Sequence, residues 1–438
     1  MNLERTVRVA VDLTPMLPGG QNGGVKPAIL EFLKGVRTLL GDQLQYLFLT
    51  ADGTHEEAAS ILGEKDSAFC ILRRTGRSDF AQALDLATRS KRMARQLMRK
   101  HRTEVLYCPF GVLHFACSGL PTVAMIVDIL HRDYPYSLPV QTREWRELQF
   151  RKLALSVDYF QVISQFTAER LQTLYNISQG KIFVTRLPIH GRLASTNCNR
   201  EPFFFFPANF WIHKNHEVLL IAYQIYLSKS GAESPWNLVL TGYHDERARD
   251  LQRIAEDLGI AAHVQFRGHV PEEELAKLYA TASCLVFPSL YEGYGIPIAE
   301  AMSFGVPVVC GRDGSIPEIA GDAALYEEIR NPKRLADALV SIATDKVLRS
   351  ELAELGKERI AASDFSAEVR TLAEIFIATA ARGHRAKRKS CNEFTLFFST
   401  FAYYTRSMAR HALNSAVEIP LRFSLRKESN PDERVRGY

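Results

Sequence analysis

Two glutamates, Glu292 and Glu300, stand eight positions apart in the apolar stretch PSLYEGYGIPIAEAMSFG, residues 288–305. A Gly-Tyr-Gly-Ile-Pro turn separates them, and we predict that a helix begins at Pro297, because proline is tolerated where the first helical amides have no intrahelical acceptor. Such amides, together with the helix dipole, favour an anion such as a phosphate. The amides predicted to do so are those of Ile296, Ile298 and Ala299.

Carboxylates beside an anion site suit hydroxyl groups rather than the anion itself, since an ionised carboxylate only accepts hydrogen bonds. A phosphate between two hydroxyl-rich groups is the chemistry of a nucleoside diphosphate sugar. Gly293 and Gly295 would let the backbone approach such a ligand closely, because glycine has no side chain to prevent it. An isolated helix glutamate is more often a solvated residue favoured by the dipole, and that alternative stays open for Glu300.

Strand-like and helix-like segments alternate along both halves of the chain. The strand-like segments of the first half are TVRVAVDL, QYLFLT, EVLYCPF, TVAMIVDI and YFQVIS. The pattern restarts at residue 202 with PFFFFPANF, NLVLTG, HVQFRG, CLVFPS and VPVVCG. Alternation of this kind predicts parallel sheets wound with helices on both faces. We therefore predict an α/β protein of two doubly wound, Rossmann-like domains that face each other across a ligand-binding cleft.

The length of 438 residues also favours two domains. The polar segment LPIHGRLASTNCNRE interrupts the strand and helix pattern between the halves. We predict an N-terminal domain over residues 1–195 and a C-terminal domain over residues 202–365.

The composition is that of a soluble globular protein, with 46% hydrophobic and 24% charged residues. The net charge of +5 is too small to indicate nucleic acid binding by itself. The N-terminus, MNLERTVRVAVDL, lacks the apolar core of a signal peptide, and the seven cysteines include no CxxC pair. We therefore expect a cytoplasmic protein with reduced thiols.

The run PSLYEGYGIPIAEAMSFGVPVVCGRDGSIPEIAGDAALY resembles the Glu-x7-Glu donor-site signature of the retaining GT-B glycosyltransferases, the family 4-like enzymes also called glycosyl transferases group 1. The likeness continues upstream through HVQFRGHVPEEELAKLYATASCLVFPS. It implies the GT-B fold, with Glu292 at the donor sugar and Glu300 at the ribose hydroxyls. It also implies that a helix over residues 366–383 crosses back to the N-terminal domain. After this helix we predict a basic, aromatic extension over residues 384–438.

Two glycine- or lysine-bearing stretches resemble the phosphate-binding parts of the same family. PANFWIHKNHEVLLIAY places Lys214 at the donor diphosphate, although Asn209 stands where relatives usually carry an arginine. PGGQNGGV, which contains Gly23 and Gly24, resembles the loop that faces the donor phosphates and the acceptor. The other residues that the resemblance places at the donor are Tyr294, Gly295, Ile296 and Ile298. A lysine without this context is more often a surface residue.

VDILHRDYP resembles the acceptor-side segment of a branch of the family that carries Asp-x-x-His, here Asp128 and His131. The resemblance gives both residues a catalytic role beside Glu292 and Lys214. Many relatives have a histidine immediately before the aspartate, where this chain has Val127. A structural role for His131 therefore stays open.

The resemblance implies transfer of a hexose from a UDP- or GDP-sugar to a hydroxyl of a glycan or lipid-linked acceptor, with retention at the anomeric carbon. Mannosyl and glucosyl transfer in polysaccharide biosynthesis both fit. Because the chain has no Asp-x-Asp motif, we expect no metal. We also expect no cofactor and no nucleic acid partner. A dinucleotide oxidoreductase is disfavoured because GYGIPI lacks the third glycine. A nucleotide-sugar epimerase and a non-enzymatic binding module stay open.

Two basic segments could contact a membrane. A helix is predicted over residues 80–101, and basic side chains follow one of its faces: Arg89, Arg92, Arg95, Arg99 and Arg102. Residues 384–427 are also basic, and they enclose FTLFFSTFAYY, which is too short to span a bilayer. We expect peripheral attachment to anionic lipid on the inner face of the membrane through residues 89–102 and 384–427. The alternative is a solvated helix face and a tail that packs on the domains.

Overall fold

The computed structural model describes residues 6–19, 21–188, 198–230 and 235–383. The first part of the chain forms a seven-stranded parallel sheet in the order β3-β2-β1-β4-β5-β6-β7. Its strands are β1 (Val7–Asp12), β2 (Leu44–Ala51), β3 (Ser67–Leu72), β4 (Val105–Cys108), β5 (Thr122–Ile126), β6 (Tyr159–Val162) and β7 (Ile182–Val184).

The second part forms a six-stranded parallel sheet in the order β10-β9-β8-β11-β12-β13. Its strands are β8 (Glu201–Pro207), β9 (Asn237–Thr241), β10 (Val264–Phe266), β11 (Ala282–Phe287), β12 (Val308–Cys310) and β13 (Leu325–Tyr326). In both sheets the strand order reverses beside the first strand, which is the doubly wound arrangement. The predicted α/β fold class is confirmed.

Helices connect the strands on both sides of each sheet. Those of the N-terminal domain are α1 (Val25–Leu40), α2 (His55–Ala59), α3 (Asp79–Asp85), α4 (Lys91–Lys100), α5 (Leu130–Asp133), α6 (Val140–Ser156) and α7 (Gln165–Tyr175). Those that follow are α8 (His216–Ser230), α9 (Glu246–Asp257), α10 (Glu272–Thr281), α11 (Ile296–Ser303), α12 (Ile316–Ala320), α13 (Pro332–Thr344), α14 (Lys346–Ala361) and α15 (Phe365–Gly383).

The strands are buried on both faces because helices cover both sides of each parallel sheet. All four residues of β4 and all five of β5 are buried, and their near-continuous apolar sequence is typical of such strands. The uncharged run between residues 105 and 127 therefore holds two short core strands with a loop between them. Within the described ranges, no helix is both long and apolar enough to cross a bilayer.

Helix α15 packs on the N-terminal domain after the C-terminal sheet is complete. Phe365 meets Phe32 of α1 edge to face at a centroid distance of 5.2 Å, and Phe376 meets Tyr107 of β4 at 5.1 Å. Gly35 lets the two helices approach closely, since a Cβ there would lie 2.7 Å from a methyl group of Val369. The chain thus crosses back to its first domain before residue 384.

Three strands have no strong sequence signal. β3 lies at the edge of its sheet and its first residues are only partly buried, β7 has three partly buried residues, and β13 has two.

The helix predicted over residues 80–101 is continuous, but a π-helical turn, Leu86–Ser90, joins α3 to α4. The change from one sheet to the other falls between Val184 and Glu201. The predicted extension over residues 384–438 lies outside the described residues.

Candidate active site

A cavity of about 1190 Å³ lies between the carboxyl ends of the two sheets, where loops of both domains meet. Open α/β sheets bind their ligands at this edge. Most of the residues predicted to form the site line it: Gly23, Gly24, Asp128, Asn209, Lys214, Glu292, Tyr294, Gly295, Ile296 and Glu300. His131 and Ile298 do not.

Two loops of the C-terminal domain are tied together at the floor of this cavity. The backbone carbonyl of His213, in the β8–α8 loop, accepts a hydrogen bond of 2.7 Å from the amide of Leu290 in the β11–α11 loop. Next to this bond, the Nζ of Lys214 forms an ion pair with the carboxylate of Glu292. Only 10% and 12% of the two side chains are exposed, so water screens this ion pair weakly.

Ser315, at the start of α12, fixes the backbone around Glu292. Its amide and its hydroxyl both donate to the carbonyl of Glu292, at 3.2 and 3.1 Å. The hydroxyl also lies 2.9 Å from the carbonyl of Tyr294. These hydrogen bonds fix the backbone of the loop that carries Glu292. The Glu292 side chain lines the cavity from this fixed backbone.

The start of α11 differs in part from the prediction. The amides of Ile298 and Ala299 both donate to the carbonyl of Gly295, at 3.0 and 3.3 Å, so they are not free to bind an anion. Ile298 packs its side chain in the core and does not face the cavity. The Ile296 amide donates to no residue in the described part of the chain. Gly295 has a φ of +104°, a conformation that favours glycine, and so directs the helix start toward the cavity.

Glu300 is not the solvated helix residue that the sequence left open. Only 4% of it is exposed, and its Oε2 accepts a hydrogen bond of 2.7 Å from the hydroxyl of Tyr279. Both residues line the cavity. A buried carboxylate held in this way is preorganised to accept further hydrogen bonds from a ligand.

Two glycines bring the walls of the cleft together. A Cβ at Gly24 would lie 2.9 Å from Cδ1 of Ile296, and a Cβ at Gly293 would lie 1.8 Å from the carbonyl oxygen of Val127. The expectation that Gly293 makes room for a ligand is therefore wrong for this structure, because the neighbour it admits is the backbone of the other domain. The hydroxyl of Tyr291 also crosses the cleft and accepts a hydrogen bond of 3.0 Å from the Ile129 amide.

Asp128 lines the cavity on the side of the N-terminal domain, and its carboxylate has partners within the protein. It forms an ion pair with Arg146 of α6, and its Oδ1 accepts a hydrogen bond of 2.9 Å from the Leu130 amide. Burial alone would raise the pKa of Asp128, but Arg146 and the Leu130 amide outweigh burial and hold the pKa below its usual value. Asp128 is therefore ionised at neutral pH and is a weak proton acceptor.

His131 lies behind the cavity wall. Its Nε2 lies 2.8 Å from the hydroxyl of Tyr175 and 3.5 Å from the carboxylate of Glu147, and its ring packs 4.6 Å from that of Phe150. Burial lowers the pKa of His131 to about 4, so its ring is neutral at pH 7. This placement favours the structural role over the catalytic one.

The cavity lining includes residues that the sequence prediction missed, among them Arg146, Trp211, His213 and Arg247. Arg247, on α9, brings a cation to the C-terminal wall and forms an ion pair with Glu217 of α8. Asn209 uses its Oδ1 to accept a hydrogen bond of 2.8 Å from the Tyr243 amide and brings no charge. Trp211 and His213 lie within three positions of Lys214 in the sequence, and that proximity was the signal available for them. In the described residues, no group of three His, Cys, Asp or Glu side chains could hold a metal ion.

The arrangement of the two domains has counterparts among solved structures. The sucrose-phosphate synthase of Thermosynechococcus elongatus aligns with a TM-score of 0.68 at 16% sequence identity, over 86% of this chain and 100% of that one. This chain has two parallel sheets with a cleft between them, and helix α15 returns from the second domain to the first. These features are those of the GT-B architecture. The chain has the GT-B fold.

The family match lies in the C-terminal part of this GT-B chain. Residues 194–359 match the family model of the glycosyl transferases group 1. The O-antigen chain mannosyltransferase B of Escherichia coli is 44% identical over 115 residues, which are 26% of this chain and 30% of that protein. The MMP alpha-(1->4)-mannosyltransferase of Mycolicibacterium hassiacum is 41% identical over 232 residues, 48% of this chain and 53% of that protein. The chain thus spans about half or less of the length of these relatives.

Proposed function

We propose that this protein is a retaining hexosyltransferase that moves a hexose from a UDP- or GDP-sugar to a hydroxyl of a glycan or lipid-linked acceptor. The observation that carries the proposal is the placement of Glu292, Lys214 and Glu300 around the start of α11 in one cavity. The two mannosyltransferase names among its relatives favour a mannosyl donor and a place in polysaccharide biosynthesis.

In this proposal the nucleotide occupies the C-terminal wall. Glu300, held by Tyr279, accepts hydrogen bonds from the ribose hydroxyls. The diphosphate lies between Lys214 and the Ile296 amide, and Glu292 orients the hexose through its hydroxyls. Lys214 then exchanges part of its contact with Glu292 for the phosphate, since a lysine ammonium has three donors and can serve both.

The reaction forms a bond between the acceptor oxygen and C1 of the hexose and breaks the bond between C1 and the diphosphate oxygen. The electron pair of the broken bond stays on the phosphate. The proton of the acceptor hydroxyl passes to a phosphate oxygen, because Asp128 is committed to Arg146 and its pKa is lowered. Lys214 and Arg247 stabilise the negative charge that develops on the leaving diphosphate. In this assignment Arg247 supplies the positive charge that an arginine at position 209 would bring and that Asn209 does not. Catalysis then needs no metal.

Nucleotide binding and turnover test this proposal in two steps. UDP or GDP should stabilise the folded protein, by about 2.7 kcal/mol at 100 times the Kd, because a ligand bound only by the native state shifts the unfolding equilibrium. UDP-glucose or GDP-mannose should then lose its hexose, to water or to an added acceptor, in the presence of EDTA. Proton NMR of the first-formed product should show the anomeric configuration of the donor.

Three outcomes would contradict parts of the proposal. A free sugar epimer formed without acceptor would indicate an epimerase, and nucleotide binding without turnover of any donor would indicate a binding module. Activity lost in EDTA and restored by manganese would exclude the metal-independent assignment. An inverted product would exclude retention.

A further inference from the structure

The β8–α8 loop exposes an aromatic ring inside the cavity. Trp211 lines the cavity with 45% of its surface accessible, although tryptophan is usually well buried. The preceding residue, Phe210, is fully buried and anchors the loop in the core. Trp211 is thus held in place by its neighbour while its own ring remains available, which is typical of a residue that receives a ligand.

The ring of His213 lies next to that of Trp211, at a centroid distance of 5.6 Å and an interplanar angle of 31°. His213 lines the cavity and is 5% exposed. Its Nδ1 is buried and has no hydrogen-bond partner among the described residues, so Nε2 is the nitrogen left to face the cavity. Burial and the neighbouring charge of Lys214 lower the pKa of His213 to about 3, which leaves a neutral ring at pH 7.

His213 also lies within electrostatic reach of the N-terminal wall. The charged groups near its ring are Lys214, Asp128 and Arg146. The hydrogen-bonded pair of Glu300 and Tyr279 is the part of the cavity that the proposed function assigns to the ribose. His213, with Trp211 beside it, therefore lies next to the N-terminal wall, where the family resemblance places the acceptor.

We infer that Trp211 and His213 form an acceptor subsite on the C-terminal domain, in which Trp211 stacks on the terminal sugar ring of a neutral glycan and Nε2 of His213 hydrogen-bonds the reacting hydroxyl. The inference rests on the proposed function and deepens it. A neutral imidazole has one donor and one acceptor nitrogen, which suits a hydroxyl. The flat apolar face of an indole suits the C–H face of a pyranose. The acceptor is then bound by both domains at once, so it is aligned only when the cleft is closed.

Separate donor and acceptor assays test the subsite. GDP-mannose and UDP-glucose serve as donors, and mannobiose and maltose serve as neutral acceptor probes. Trp211→Ala should raise the acceptor KM about tenfold while nucleotide affinity and donor hydrolysis stay within twofold of wild type. Trp211→Phe should recover most of the loss. Tyr243→Ala is the matched control, because Tyr243 is 50% exposed and does not line the cavity.

His213→Ala should lower kcat for transfer about tenfold without weakening nucleotide binding, because it removes one hydrogen bond to the reacting hydroxyl. His213→Gln should restore part of the rate, since its amide nitrogen stands near the position of Nε2. A purely structural role would instead lower hydrolysis, transfer and the melting temperature together.

Several results would overturn the inference while the proposed function stands. They are donor hydrolysis without transfer to either neutral probe, a Trp211→Ala variant that behaves like Tyr243→Ala, and a loss of UDP or GDP affinity in the Trp211 or His213 variants. If the wild-type chain neither hydrolyses either donor nor transfers its hexose, both proposals are overturned.

Discussion

Lys214 and Glu292 form an ion pair at the floor of the cleft although 78 positions separate them in the sequence. Their loops follow neighbouring parallel strands, β8 and β11, whose carboxyl ends meet at one edge of the sheet. Each side chain balances the charge of the other, so neither is left buried and unpaired. Removal of either residue therefore affects both the proposed donor site and the remaining partner.

The two glutamates should respond differently to substitution. Glu300→Ala should weaken UDP or GDP binding about tenfold or more, because charge-assisted hydrogen bonds to the ribose are lost. Glu292→Ala should lower turnover more than nucleotide affinity, since its contacts are with the hexose. Thermal shift titration and initial rates measure the two effects. Glu273→Ala, at an exposed position of α10, should change neither. Equal and small effects of the two substitutions would contradict the donor-site assignment.

Lys214→Gln should reduce transfer by about 100-fold or more, because the positive charge beside the leaving diphosphate disappears. The variant should also be less stable, since Glu292 is left as a buried carboxylate without its partner. The double variant Lys214→Gln/Glu292→Gln should regain stability but not activity. Melting temperatures and rates for the three proteins check this. An active double variant would exclude the electrostatic role of Lys214.

Gly293→Ala should impair closure of the cleft. A Cβ at this position would lie 1.8 Å from the Val127 carbonyl oxygen, so the two domains must separate to admit it. Nucleotide binding, which uses the C-terminal wall, should persist, while transfer to an acceptor should fall about tenfold or more. Gly53→Ala is the control, because a Cβ there meets no atom within 4 Å. Unchanged transfer by Gly293→Ala would show that this contact is not needed for the reaction.

His216 should make the stability of the protein sensitive to acid. Its ring lies between Phe206 and Phe210, at 4.7 and 5.0 Å, and neither ring nitrogen has a partner among the described residues. Burial lowers its pKa from 6.5 to about 3. Below pH 6.5 the unfolded chain therefore takes up a proton that the folded chain does not, and the free energy of unfolding decreases as the pH falls.

This one histidine should cost about 2 kcal/mol of stability between pH 7 and pH 5. His216→Phe places an apolar ring in an aromatic environment and should remove that part of the pH dependence. Denaturant unfolding at the two pH values measures it, with the exposed His244→Phe as control. If His216→Phe loses as much stability between pH 7 and pH 5 as wild type, the neutral buried ring is not the cause.

The helix formed by α3, the π-helical turn and α4 has a buried face and a basic, exposed face. Ser90 and Leu97 are buried, whereas the side chains of Arg89, Arg92, Arg99 and Arg102 are exposed. We predict co-sedimentation of the full chain with anionic vesicles at low salt and its loss at high salt, with each basic residue contributing about 1 kcal/mol near the surface. A chain that ends at Gly383 should bind more weakly, because residues 384–427 are basic. Equal binding by the truncated chain would exclude the tail as an anchor.

The amino-acid sequence determined the alternation of strands and helices and the loop that carries Glu292 and Glu300. Apolar runs such as β5 are recognisable because a strand covered on both faces must be apolar throughout. The Glu292 and Glu300 loop is recognisable because its residues are adjacent in the chain. Short edge strands such as β13 carry too few buried residues to give a pattern.

Tertiary structure alone decided which distant side chains share the cavity. Arg146 and Arg247 carry no local signal, and they meet Asp128 and Glu217 only because the tertiary packing brings their elements together. The two histidines illustrate the difference. His131 has the better sequence motif but lies behind the wall with Tyr175, whereas His213 faces the cavity. Sequence spacing fixes which residues are neighbours along a loop, but the direction in which a side chain points depends on the elements packed against that loop.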